Sequence, residues 1–198
     1  MVKVNAIGDV CPTPVIKTKK AIDNITGSET VEVLVDNEIA VSNVSKFGEE
    51  SGGKVKSEKL GEKEYKITIE LGEGNTKKEV VAGTNCTDNT IVVINSNIMG
   101  RGNDELGGVL IKGFIYAVSQ LDVLPSQMIF YNGGATLTCE GSDSLEDLQY
   151  MESKGVEIKT CGTCLDYYKL KEKLQVGQIT NMYSIVEAMD NAGKIIMP

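Results

Sequence analysis

The sequence predicts an α/β protein in two modules. Residues 1–71 read as a two-layer β-α-β-α-β-β sandwich, and residues 89–198 as a doubly wound, mostly parallel sheet with helices on both faces. Three observations predict this. Apolar residues alternate at Tyr65, Ile67, Ile69 and Leu71, the mark of a half-buried strand. After residue 89, short apolar runs alternate with helical patterns, which implies a parallel sheet. Between the two lies GEGNTKKEVVAGTNCTD (72–88), aperiodic and rich in Gly, Asn and Thr, which reads as a linker.

In the first module MVKVNA is a strand, and a helix is expected from about Pro12 to Ile25 with Val15, Ile22 and Ile25 at helical spacing. TVEVLVD (30–36) is the next strand. Asp36 or Asn37 caps a second helix whose Ala40, Val41, Val44 and Phe47 share a face. KVKSEKL and YKITIEL form a hairpin. In the second module TIVVIN (90–95), QMIFY (127–131), VEIK (156–159) and the closing KIIM are strands. Helices are expected at 104–121, from Asp143 or Ser144 to Gly155, at 164–174 and at 181–189. Helix 104–121 is apolar beyond one core-facing stripe. Its second surface is expected to pack a partner subunit, with Ile111 and Ile115 as associating positions; a central helix covered by its own chain is the alternative.

The chain has 198 residues, 41% hydrophobic and 24% charged, with net charge −8. That charge argues against nonspecific binding of nucleic acid or anionic membrane, and no apolar run approaches a membrane span. The N-terminus reads as a strand without signal-peptide organisation, so a cytoplasmic location with reduced thiols is expected. There is no histidine. Histidine-based catalysis and histidine metal sites are thereby excluded within the chain, and thiols become the expected nucleophiles.

Of five cysteines, three have a suggestive setting. In GDVCPTPVIKTKKAI (8–22), Gly8, Pro12 and Pro14 frame Cys11. A helix beginning at Pro12 puts Cys11 at the N-cap, where unpaired N–H groups and the helix dipole favour a thiolate. A buried structural cysteine is the alternative. Lys17, Lys19 and Lys20 follow as a docking patch for an acidic partner or as a solvated face. Cys161 and Cys164 form CGTC after a strand and at a helix start. The spacing suits a redox dithiol, with Cys164 as nucleophile and Cys161 resolving it, or two thiols that pack a loop. A zinc site lacks its other ligands, so no metal is expected. Cys86 and Cys139 have no activating context.

Loops at the carboxyl ends of parallel strands converge, and ligands bind there. The rim so predicted contains Asn95, Gly100, Arg101, Gly102, Asn132, Gly133 and Asn181. Gly100-Arg101-Gly102 is an anion nest or a plain tight turn. It is not a dinucleotide fingerprint, because Glu105 stands where the third glycine belongs.

These residues resemble known families. GDVCPTPVIKTKKAI resembles the CPxP signature of the TusA/SirA family of sulfur carriers, and the likeness continues through VDNEIAVSNVSKFGEESG. The second module is similar to DsrE-like proteins through MGRGNDELGGVLIKGF, KGVEIKTCGTC and QVGQITNMYSIVEAM. Both modules in this order resemble YedF-type proteins, which are associated with selenium metabolism. Asn5 stands where the carrier family often has Asp. The resemblance implies a persulfide on Cys11 that passes to a partner protein, and a second reactive thiol that Cys164 matches best. The function expected is a sulfur or selenium relay, loaded by a donor such as a cysteine desulfurase and discharged to an acceptor protein. It would need no bound cofactor and would form a homo-oligomer through the second module. The alternatives are a non-catalytic oligomeric assembly or redox-switch module, and a selenium-binding delivery protein without turnover.

Overall fold

The computed structural model describes residues 1–10, 12–25, 27–72 and 89–198, and the chain divides into two units, Met1–Gly83 and Thr84–Pro198. Cys11, Cys86 and the linker expected at 72–88, except Gly72, lie outside the described residues.

The first unit runs β1 (Val2–Asn5), α1 (Thr13–Asp23), β2 (Glu29–Val35), α2 (Glu38–Glu50), β3 (Lys54–Gly61) and β4 (Glu64–Leu71). The strand order is β1-β2-β4-β3, with β1 parallel to β2 and the other pairs antiparallel. Successive strand side chains point to opposite faces. Val31, Val33 and Val35 of β2 and Ile67, Ile69 and Leu71 of β4 therefore bury one face against Ile22 of α1 and Ala40 and Val44 of α2. The opposite face carries ion pairs, Lys66 with Glu58 and Lys56 with Glu70 at 3.2 Å. Asn37 provides the α2 cap: its Oδ1 accepts the Ala40 N–H at 2.8 Å. Helix α1 begins one residue later than expected, with Pro12 at the cap position and Pro14 in the first turn.

The second unit contains β5 (Thr90–Ile94), α3 (Asp104–Ser119), β6 (Gln127–Phe130), a 3₁₀ segment (Asn132–Thr138), α4 (Leu145–Ser153), β7 (Glu157–Cys161), α5 (Gly162–Tyr167), a 3₁₀ turn (Lys171–Lys173), β8 (Gln178–Thr180), α6 (Met182–Asp190) and β9 (Lys194–Ile196). All strand pairs are parallel, in the order β8-β7-β6-β5-β9. Val92, Ile94, Met128 and Phe130 pack with α3 and α4 on one face, through Ile111, Ile115, Leu148 and Met151. Ile91, Val93 and Ile129 pack with Ile185 of α6 on the other, so both faces are covered.

The structure corrects two expectations here. The helix expected at 164–174 ends at Tyr167. Lys169 adopts a left-handed conformation (φ 58°), and the N–H of Leu170 returns to Leu165 O at 2.8 Å. Downstream backbone then pairs with the 3₁₀ segment, Gln175 N–H to Thr138 O at 3.0 Å, which no continuing helix permits. On α3, Ile111 and Ile115 are core residues, 2% and 0% exposed, and are not free to associate. The outward apolar positions are Leu106, Val109 and Leu110, at 56%, 64% and 46%.

This assignment of faces has a measurable consequence. In urea unfolding at dilute protein, Ile115→Ala should cost about 2–5 kcal/mol, while Val109→Ala should stay within about 0.5 kcal/mol of the parent. Equal losses would show that the α3 faces are misassigned.

Candidate functional site

The first thiol segment joins β1 to α1. The Asn5 Oδ1 accepts the Ile7 N–H at 3.1 Å, and the Gly8 N–H donates to Asp36 Oδ2 at 2.9 Å. Gly8 has φ +81°, a conformation that favours glycine. Hydrogen bonds from Asn37 and the Gly8 backbone hold the Asp36 carboxyl below the usual carboxylate range. A lowered pKa means that this tether is intact above the ordinary Asp range and is lost as pH falls through the lowered value.

The unpaired first-turn N–H groups expected beside Cys11 are mostly occupied. Thr13 donates to Val10 O at 2.9 Å, Val15 to Pro12 O at 3.1 Å, and Pro14 has no N–H. What remains at this end of α1 is its dipole. Pro14 is buried, and its carbonyl accepts the Thr18 hydroxyl at 2.8 Å. Lys17 pairs with Asp9 at 2.6 Å and Lys19 with Asp23 at 2.8 Å, so those two serve the unit's own surface. Beside the segment is an apolar cavity of about 210 Å³, lined by Val10, Pro14, Val15 and Ile39. Val10 and Ile39 are strongly exposed.

The second thiol segment lies on the carboxyl rim of the parallel sheet. Cys161 ends β7, is buried, and occupies the N-cap position of α5; Cys164 follows within the helix, half-buried. The cap position expected near Cys164 therefore belongs to Cys161. The Asn132 N–H donates to Cys164 Sγ at 3.0 Å, and Tyr168 Oη donates to Asn132 Oδ1 at 3.2 Å. Asn132 reaches this geometry with φ 50°. Gly162 lies against β8: a Cβ there would stand 2.9 Å from Ile179 Cγ2. Burial pushes the Cys164 thiol above its usual range; the Asn132 N–H opposes the rise and the adjacent Cys161 thiol adds to it. Burial also raises Cys139, which packs with Ala135 and Leu165.

The other rim residues divide by role. A Cβ added at Gly133 would stand 3.2 Å from Asn97 Oδ1, so that loop and the one after β5 approach closely. Asn181 caps α6 through the Ser184 N–H at 3.0 Å, and Asn103 caps α3 through the Leu106 N–H at 2.8 Å. The Asn95 Nδ2 stands 4.0 Å from Met197 Sδ. Gly100, Arg101 and Gly102 are exposed, and the neighbouring Met99 N–H is taken by Gly107 O. Tyr168 was not singled out from sequence, although a tyrosine pair directly after CGTCLD was a visible signal. A cavity of about 360 Å³ lined by Asn97, Lys112, Thr136 and Asp143 includes neither thiol.

Comparison with known proteins bears on the first unit. Residues 2–71 match the family model described as sulfurtransferase TusA. A protein of Methanocaldococcus jannaschii named "putative sulfur carrier protein" is 38% identical over 69 residues, covering 35% of this chain and 92% of its own. The chain belongs to the TusA family through its first unit. A second such protein, from Archaeoglobus fulgidus, is 41% identical over 63 residues, covering 31% of this chain and 72% of its own. Among solved structures, a SirA-like protein from Desulfitobacterium hafniense aligns with 37% of this chain and 100% of its own, at 36% identity and TM-score 0.35. The ychN protein from E. coli aligns with 56% of this chain and 99% of its own, at 16% identity and TM-score 0.42. No helix among the described residues is long and apolar enough to cross a membrane.

The raised Cys164 thiol sets a pH dependence. The thiolate is the nucleophile, so iodoacetamide should label Cys164 more slowly than free cysteine at neutral pH. The rate should climb as pH rises through the alkaline range. Labelling as fast as free cysteine near neutrality would contradict the burial argument.

Proposed function

We propose that this TusA-family protein is a sulfur carrier that holds a persulfide on Cys11 and passes the sulfur to an acceptor protein or to Cys164. The observation that carries the reading is the family match over residues 2–71, a span in which Cys11 stands between Gly8 and the Pro12–Pro14 frame, together with 38% identity over 69 residues to a protein named as a sulfur carrier. The positive end of α1 favours an anionic persulfide as it favours a thiolate. The exposed Val10 and Ile39 beside the segment leave an apolar surface for a donor, such as a cysteine desulfurase, and for the acceptor. The second unit supplies a further thiol in the manner of DsrE-like proteins, and the pair of units in the manner of YedF-type proteins extends the cargo to selenium. This activity is sulfurtransferase-like and cytoplasmic.

Incubation with a desulfurase and radiolabelled cysteine should place label on Cys11, and Cys11→Ser should reduce it to background. Label that survives Cys11→Ser overturns the carrier reading. With Cys11 intact, Cys164→Ser should increase the label retained on Cys11; an unchanged distribution limits the relay to external acceptors.

The outward stripe Leu106, Val109 and Leu110 supports a second reading, self-association of the second unit through α3. Val109→Glu with Leu110→Glu should shift the chain toward monomer in analytical ultracentrifugation with its fold retained. A parent chain already monomeric at tens of micromolar (order of weak association) would remove that reading.

A further inference from the structure

We propose that Cys161 and Cys164 form a sulfide-releasing dithiol: a persulfide delivered to Cys164 is discharged as hydrosulfide when Cys161 closes a disulfide onto it. The inference rests on the reading of persulfide sulfur as cargo and assigns the second unit a reaction of its own.

Three observations carry it. The two thiols are neighbours, close enough to interact directly, and both occur free. From helix geometry their Cα atoms are roughly 5 Å apart, within the range a disulfide requires. Their exposure is unequal: Cys161 is 2% exposed beneath the rim, while Cys164 is half-buried at its surface. Finally, Cys164 Sγ already accepts the Asn132 N–H at 3.0 Å, held by Tyr168, which fixes the sulfur that must be attacked.

The chemistry balances in two steps. The Cys164 thiolate attacks the outer sulfur of a persulfide donor; a new S–S bond forms on Cys164 and the donor leaves as a thiolate. The Cys161 thiolate then attacks Cys164 Sγ, forming the Cys161–Cys164 bond and expelling hydrosulfide. Two thiols lose two electrons, and the transferred sulfur gains them. An external dithiol reductant reopens the disulfide. Attack on the outer sulfur would instead move the cargo inward onto Cys161, but burial and leaving group both oppose that path. Cargo moved inward would lie on Cys161, which is 2% exposed and out of reach of an acceptor, whereas Cys164 is half-buried at the rim. Cys164 would also have to leave as a thiolate that burial disfavours, whereas a leaving group of lower pKa departs faster.

The test uses the full chain carrying Cys11→Ser, so that the first carrier thiol takes no part. The reduced protein is mixed anaerobically with glutathione persulfide, without added reductant. Released sulfide is measured above the donor alone, and thiols are mapped by mass spectrometry. The expected result is stoichiometric sulfide together with a Cys161–Cys164 disulfide. Adding Cys161→Ala should abolish the sulfide burst and leave one extra sulfur on Cys164; adding Cys164→Ala should abolish both. A burst that persists in Cys161→Ala overturns the proposal, as does a persulfide that accumulates on Cys164 with the dithiol intact. Should Cys161→Ala fail to fold, disulfide mapping in the Cys11→Ser chain decides alone, and its absence after donor consumption is a refutation. Desulfurase loading of the parent chain distinguishes the two readings. Failure of Cys11 to load sinks the carrier reading and leaves the dithiol result standing; a missing disulfide with Cys11 loaded sinks only the dithiol.

Discussion

A strand turns successive side chains to opposite faces, and what covers those faces decides the rest of each unit. In the second unit Ile91 and Val93 face α6 while Val92 and Ile94 face α3 and α4. Burial on both sides requires crossover helices, crossovers make the strands parallel, and parallel strands send their carboxyl ends to one edge. The rim that carries Cys161, Cys164 and Asn132 is a consequence of that burial. The first unit buries one face only. Its second face is charged and solvated, and its thiol segment sits where a strand hands over to a helix rather than at a convergence of loops.

The two thiol settings differ in electrostatics. At the start of α1 the Thr13 and Val15 donors are taken by the Val10 and Pro12 carbonyls, so the helix dipole is what that end of α1 offers. At Cys164 a single backbone N–H, from a residue 32 positions away, opposes a larger desolvation penalty. A thiol held above its usual range is a slow nucleophile at neutral pH and a poor leaving group. Slow attack limits how fast it takes up cargo, while poor departure suits a sulfur that a neighbour attacks with hydrosulfide as the leaving group.

Much of the architecture was legible because period-2 and period-3.6 patterns are local. Tyr65, Ile67, Ile69 and Leu71 announced β4, and Asp36-Asn37 announced the α2 cap, which Asn37 provides. Helix 164–174 misled because LDYYKLKEKL has helical composition; pairing of residues 173–175 with 138–140 overrode it. Strand β8 was missed because three edge residues paired only to β7 carry no pattern of their own.

By itself the sequence determined the two α/β units, the position of Cys11 between flexible and proline residues, and the placement of CGTC where a strand meets a helix. Each follows from the order and type of neighbouring residues. Tertiary structure decided which face of α3 is core, and so that Leu106, Val109 and Leu110 rather than Ile111 and Ile115 face outward. It also decided that Asn132 and Tyr168 meet Cys164. Those choices depend on β6 lying beside β7 and on which helix stripe finds the sheet. A helix apolar on two sides offers two stripes, and only packing selects between them.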